Sequence, residues 1–259
     1  MVPARPSLNV IDIVTSTFSV YWRGLFYFLP AILLFTVAFE AVSAEISGVI
    51  ARSLTPTIWL NLALSFGEAM VNLLYGLCVQ ALVVLPAIHL FRDGRIGVLR
   101  STRRLLLLLA PMVALCLIIP VVTMLGFILL FVPGVIISLM LFVAMPVLLD
   151  EQVGLRAIPR SMNLTRDYRW ALLGLSILTT LIVFILAFLA SFIMTPGALW
   201  LDSLEIGNPA IRGLLRVSVT AFGLAIIAPV GGISAAIAYV RLKEIKEGGA
   251  SETLRKVFE

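Results

Sequence analysis

Glu68 and Asn72 lie four positions apart in FGEAMVN, and Glu40 interrupts another apolar run in VAFEAV. On a helix Glu68 and Asn72 share a face, one turn apart, and Glu40 can approach them from a neighbouring helix. Such a group could hold an ion or a lipid headgroup within a membrane, where ionisable residues are costly and often functional. The competing reading puts all three near the outer interface, hydrated or hydrogen-bonded between helices. A second carboxylate pair, Asp150 and Glu151, ends the apolar stretch LLFVPGVIISLMLFVAMPVLLDE and precedes Arg156, Arg160, Arg166, Asp167 and Arg169. With Arg100, Arg103 and Arg104 upstream, these arginines could bind anionic headgroups, each contributing about 1 kcal/mol beside an anionic leaflet. They could equally anchor the topology and pair with the nearby acids.

Reaction motifs are missing from the chain. There is no G-x-S-x-G, H-E-x-x-H, P-loop or G-x-G-x-x-G, and one histidine, His89, leaves no histidine-based metal cluster. Cys78 and Cys116 sit inside apolar segments without metal-ligand spacing, which makes them packing residues. No metal, cofactor or catalytic residue is therefore expected, and a carboxylate-only intramembrane enzyme has no positive sign.

What must position these residues is a set of membrane helices. Hydrophobic residues make up 61% of the 259 and charged residues 13%, with a mean hydropathy of +1.12. A soluble domain is about half apolar and a quarter charged. From Leu105 to Leu149 there is no charged residue or histidine. As one helix that run would be about twice the ~30 Å hydrocarbon thickness, so it is two spans and a turn. Leu-rich runs without period-two alternation are helices, not barrel strands. The expected fold is all-α and polytopic, a membrane domain over 1–248 with six spans at 24–46, 62–89, 105–130, 134–150, 170–195 and 214–240. The tail 249–259 reads as a short helix. The first residues lack the pattern of a removable signal peptide.

Basic residues set the orientation, because short Lys- and Arg-rich loops stay cytoplasmic. Of the nineteen, only Arg52, Arg212 and Arg216 fall on the side opposite the rest. Both termini should face the cytoplasm. The net charge of +5 then reflects topology, and nucleic-acid binding is not expected.

The prolines and polar faces add detail. Pro133 suits the first turn of a helix and Gly134 a tight connection, which makes FVPG the outer hairpin. Pro146 removes a helical hydrogen bond near the inner end, and Pro30, Pro86, Pro111, Pro120 and Pro229 are expected to bend other spans. Two stretches read as amphipathic helices on the cytoplasmic surface. In the helix about 8–22, Asn9, Asp12, Ser16, Ser19 and the following Arg23 oppose Leu8, Ile11, Val14, Phe18 and Tyr21, and Tyr21 and Trp22 suit headgroup depth. In GLRAIPRSMNLTRDY, Arg156, Arg160, Asn163 and Asp167 oppose Ala157, Ile158, Ser161, Leu164 and Thr165, and Pro159 marks either a start or a bend. A surface helix followed by two spans recurs three times, which suggests three related hairpin units.

The residues Pro133, Gly134, Pro146, Glu151, Ala157, Arg160, Ser161, Leu164 and Trp170, then Tyr239, Leu242, Lys243, Lys246, Glu247 and Gly248, carry a resemblance. The chain resembles a bacterial family that includes the membrane domain attached to some glycerophosphodiester phosphodiesterases and the stand-alone YciC-like inner-membrane proteins. Pro159 and Asp167 depart from that pattern. The resemblance implies a six-span inner-membrane module and no phosphodiesterase activity, which belongs to a separate soluble domain. The expected function is thus a non-catalytic envelope or membrane-organising module that touches anionic lipids at the cytoplasmic face. The alternative is a transporter or lipid-handling protein using the polar group around Glu68.

Overall fold

The structure, a computed structural model, describes residues 8–53, 57–94, 107–203, 215, 218–219, 221–223 and 225–248. Among them 93% are helical and none is in a strand, so the chain is all-α. The helices are α1 (Val10–Ser53), α2 (Ile58–Asp93), α3 (Leu109–Leu129), α4 (Phe131–Leu141), α5 (Ala144–Glu151), α6 (Ala157–Thr165), α7 (Arg169–Ser203) and α8 (Pro229–Lys243). A 3₁₀ turn, Gly154–Arg156, precedes α6, and a π turn, Glu244–Gly248, extends α8. Five stretches of the described residues are long and apolar enough to cross a membrane: Val10–Ser43, Ala110–Leu129, Phe131–Glu151, Arg169–Gly197 and Ala221–Gly248. The expected span 62–89 is helical throughout, inside α2.

Local chemistry fixes several boundaries. Thr57 caps α2, its hydroxyl accepting from the Leu60 N–H at 3.2 Å, and Gly94 ends it in the left-handed region at φ 66°. Leu130 alone, in extended conformation, separates α3 from α4, and Pro133 falls in the first turn of α4 as its missing N–H requires. Gly126 and Gly134 let these helices touch. A Cβ on Gly134 would stand 2.8 Å from the Phe127 nitrogen, and one on Gly126 would stand 3.0 Å from the Gly134 Cα. Pro146 cannot donate to the Phe142 carbonyl, and the helix breaks at 142–143, between α4 and α5. The buried Ser161 hydroxyl donates to the neighbouring Met140 carbonyl at 2.7 Å.

Three expectations change. The amphipathic stretch 8–22 is not a separate helix, because nothing between Ser19 and Leu29 breaks the ladder and α1 runs on for 44 residues. Its packed stripe is Ile13, Thr17, Val20, Tyr21 and Phe28, while Ile11, Phe18, Trp22 and Phe26 face outward. Pro111 does not bend a span, since it stands in the first turn of α3, where proline is tolerated, whereas the stretch Ala221–Gly248 is interrupted at Ala228 and Pro229 opens α8 there. Pro159 likewise lies in the first turn of α6, and that helix buries Ala157, Ser161, Leu164 and Thr165 as the spacing predicts. The hairpin units are matched unevenly: only the third keeps a distinct short helix before its span, and the stretch before the second lies outside the described residues, as do 249–259.

The packed core lies toward one end of the bundle, around α8. The span ending in α8 is 76% buried, whereas the span of α7 is 11% buried. Gly232 of α8 lets α2 close in, since a Cβ there would stand 3.2 Å from Val83. Away from that end, Val42, Ile46, Leu62, Phe66, Phe184, Phe188 and Phe192 point outward. Apolar faces turned outward on long helices are what a lipid-embedded bundle presents, because lipid is as apolar as leucine.

Candidate functional site

The packed end carries the densest polar cluster among the described residues. It begins with spacing: Tyr239 and Lys243 stand one turn apart on α8, on the face that meets the C-terminal end of α5. Tyr239 is fully buried, and its hydroxyl donates toward Asp150 Oδ2 at 2.7 Å and Glu151 Oε1 at 3.0 Å. Lys243 Nζ donates to the tyrosine oxygen at 2.9 Å and lies 3.0 Å from Glu151 Oε1 and 3.4 Å from Asp150 Oδ2. From α2, Arg92 donates to both Asp150 oxygens at 3.2 Å. From α6, Arg160 grips Glu151 with Nε at 3.1 Å and Nη2 at 3.3 Å, and also pairs with Glu247 of the π turn. All four oxygens of the Asp150–Glu151 pair are therefore accepting. Three carboxylates meet three cations, which is the neutrality that partly buried charges need.

Two flanking clusters extend it. Lys246 donates to the Asn163 carbonyl and pairs with Asp167 at 3.2 Å. Arg241 bonds Asp12 of α1 at 3.0 Å and Glu244 at 3.4 Å, and stands 5.5 Å over the Phe91 ring. An open cleft beside this pair is lined by Leu8, Asn9, Asp12, Ile13, Arg241 and Glu244. The clusters join α1, α2, α5, α6 and α8 at one end. Chemically, the arrangement holds elements together: the carboxylates that could act as a base are already saturated with donors.

The residues singled out in the sequence fare differently. Glu68 and Asn72 do share a face of α2, but both are exposed on its flank. Glu40 is half-buried one turn beyond Thr36, whose hydroxyl contacts that of Tyr75 at 2.6 Å. Among the described residues no group of three metal-ligating side chains gathers. Arg156 is exposed, Arg169 opens α7 half-buried beside the 85%-exposed Trp170, and Arg160 belongs to the network. Arg100, Arg103 and Arg104 lie outside the described residues. Six positions named for the family resemblance, Glu151, Arg160, Tyr239, Lys243, Lys246 and Glu247, meet in these clusters. Sequence reasoning placed Asp150 and Glu151 but missed the roles of Arg92 and Tyr239. The available signal was the four-residue step from Tyr239 to Lys243 beside a carboxylate pair of opposite charge.

Comparison with known protein families, with characterised proteins and with solved structures finds no match to this chain.

Proposed function

We propose that the chain is a six-span, non-catalytic protein of a bacterial inner membrane that organises the membrane or engages partners there, with its charged end and both termini on the cytoplasmic side. The observation that carries this reading is the saturated Asp150–Glu151 pair. A catalytic or transport site keeps a polar group open to its substrate, whereas here every oxygen of that pair accepts from a side chain of another element. The sixth crossing is assigned to α2. Support comes from the Asp12–Arg241 bond, which sets the start of α1 beside the end of α8, and only an even number of crossings returns a chain to its starting side. The side itself is assigned from the basic residues. In defined liposomes the purified protein should move neither solute nor lipid faster than empty liposomes leak. Protein-dependent movement would overturn the reading.

One observation favours a second reading, a transporter or lipid-handling protein: Glu68 is an ionisable group on the open flank of an apolar helix. Should transport be found, Glu68→Gln would have to abolish it at an unchanged amount of folded protein, and an unchanged rate would rule this reading out as well.

A further inference from the structure

The ion pairs divide the basic residues of the charged end into two sets. Every described carboxylate there, from Asp12 to Glu247, lies beside a basic side chain. Arg92, Arg160, Arg241, Lys243 and Lys246 are consumed by those acids. Arg156, Arg166 and Arg169 pair with no acid among the described residues, and the Arg169 Nε is enclosed without a hydrogen-bond partner. Among the described residues of this end, the charge left over is thus positive. It also sits at a marked depth: Arg169 precedes Trp170, 85% exposed on α7. Exposed tryptophans on apolar helices favour headgroup depth.

We infer that Arg156, Arg166 and Arg169, flanked by Trp170, form a binding surface for anionic phospholipid headgroups, and that Arg160 is not part of it. The inference rests on the membrane reading above and corrects which arginines face lipid. Guanidinium groups suit phosphate because their paired N–H donors match its oxygens, and their attraction to an anionic leaflet needs no enclosed pocket. Arg160 cannot do both: its Nε and Nη2 already engage Glu151, and Nη2 also engages Glu247.

The test uses full-length protein in nanodiscs of phosphatidylcholine alone or with added phosphatidylglycerol, reading the ratio of the two lipids retained per protein by native mass spectrometry. The retained phosphatidylglycerol ratio should fall roughly fivefold for each arginine removed in Arg166→Gln with Arg169→Gln, the equivalent of about 1 kcal/mol each. Arg166→Lys with Arg169→Lys should keep most of the preference. Arg160→Gln should lower the unfolding temperature in both lipid mixtures and leave the ratio alone. An unchanged ratio in the double glutamine variant, or an equal fall in Arg160→Gln, would overturn the proposal. So would inorganic phosphate stabilising the protein in phosphatidylcholine discs as much as phosphatidylglycerol does, because that marks a soluble-anion site. If the double variant does not fold, Arg156→Gln and Arg166→Gln read the same ratio singly. Carbonate extraction separates the two claims: a chain released from membranes fails the membrane reading, whereas a chain retained without lipid preference fails only this inference.

Discussion

Tyr239 is the residue on which the charged end converges, since one hydroxyl touches both carboxylates and accepts from Lys243 inside a fully buried environment. Removing that oxygen leaves the ring packing and takes one donor from the carboxylate pair, whose oxygens keep Arg92, Arg160 and Lys243. Tyr239→Phe should therefore destabilise the fold by about 1.5–3 kcal/mol, the net worth of hydrogen bonds to charged groups. Thermal unfolding in detergent reads this, and an unchanged midpoint would count against the network as a source of cohesion. Asp150 has only 12% of its side chain exposed and faces two cations, Arg92 and Lys243. Asp150→Asn strands Arg92 and leaves Lys243 to Glu151 alone, and breaking a buried pair from one side costs on the order of 3–5 kcal/mol. The same measurement should therefore show a larger loss than Tyr239→Phe, with recovery when Arg92→Met is added. Sequence alone could place Asp150 and Glu151 at the end of a span, because composition changes sharply there. It could not choose their partners, because Arg92 and Tyr239 are distant along the chain and pairing depends on how α2 and α8 cross α5.

The helical hairpin of α3 and α4 was the most legible element, and its reason is steric. Gly126 and Gly134 face one another across a single linking residue, and the Gly134 Cα lies so near Phe127 that a methyl group would overlap the ring at 2.6 Å. Gly134→Ala should splay the pair and cost about 1–3 kcal/mol as an overpacking change. A gel-resolved proteolysis pattern should show new cutting near Leu130, and a wild-type pattern would contradict the close crossing. The contact between α2 and α3 offers an independent check, because Cys78 and Cys116 lie thiol to thiol across it. Oxidation by copper phenanthroline in membranes should close an intramolecular disulfide, seen as faster migration on a non-reducing gel and lost in Cys116→Ala. Failure to cross-link would place the two helices apart. Continuity of α1 was less legible: periodicity marked 8–22 as amphipathic, yet periodicity says nothing about where a helix stops when no proline or capping residue intervenes. Its inward stripe was also misjudged, since an apolar face can point equally to core or to lipid and the sequence does not distinguish two apolar surroundings.

For the molecule as a whole, the outward apolar faces of the long helices point the same way as the composition. The proposed even number of crossings draws its support from geometry more than from hydropathy, because the Asp12–Arg241 bond brings the first and last described helices to one end. What the sequence concealed at this scale is the distribution of packing, dense near α8 and open along α7, which depends on which helices neighbour one another. The central claim, that the charged end lies inside the cell and the start of α2 lies outside, can be read directly with single cysteines in a Cys78→Ala, Cys116→Ala background. Trp59→Cys, at an exposed position near the start of α2, and Arg156→Cys, exposed beside α6, mark the two ends. In intact cells with the outer membrane permeabilised, a membrane-impermeant maleimide should label Trp59→Cys at once and Arg156→Cys only after the inner membrane is opened. Labelling of Arg156→Cys with the inner membrane intact would contradict the account.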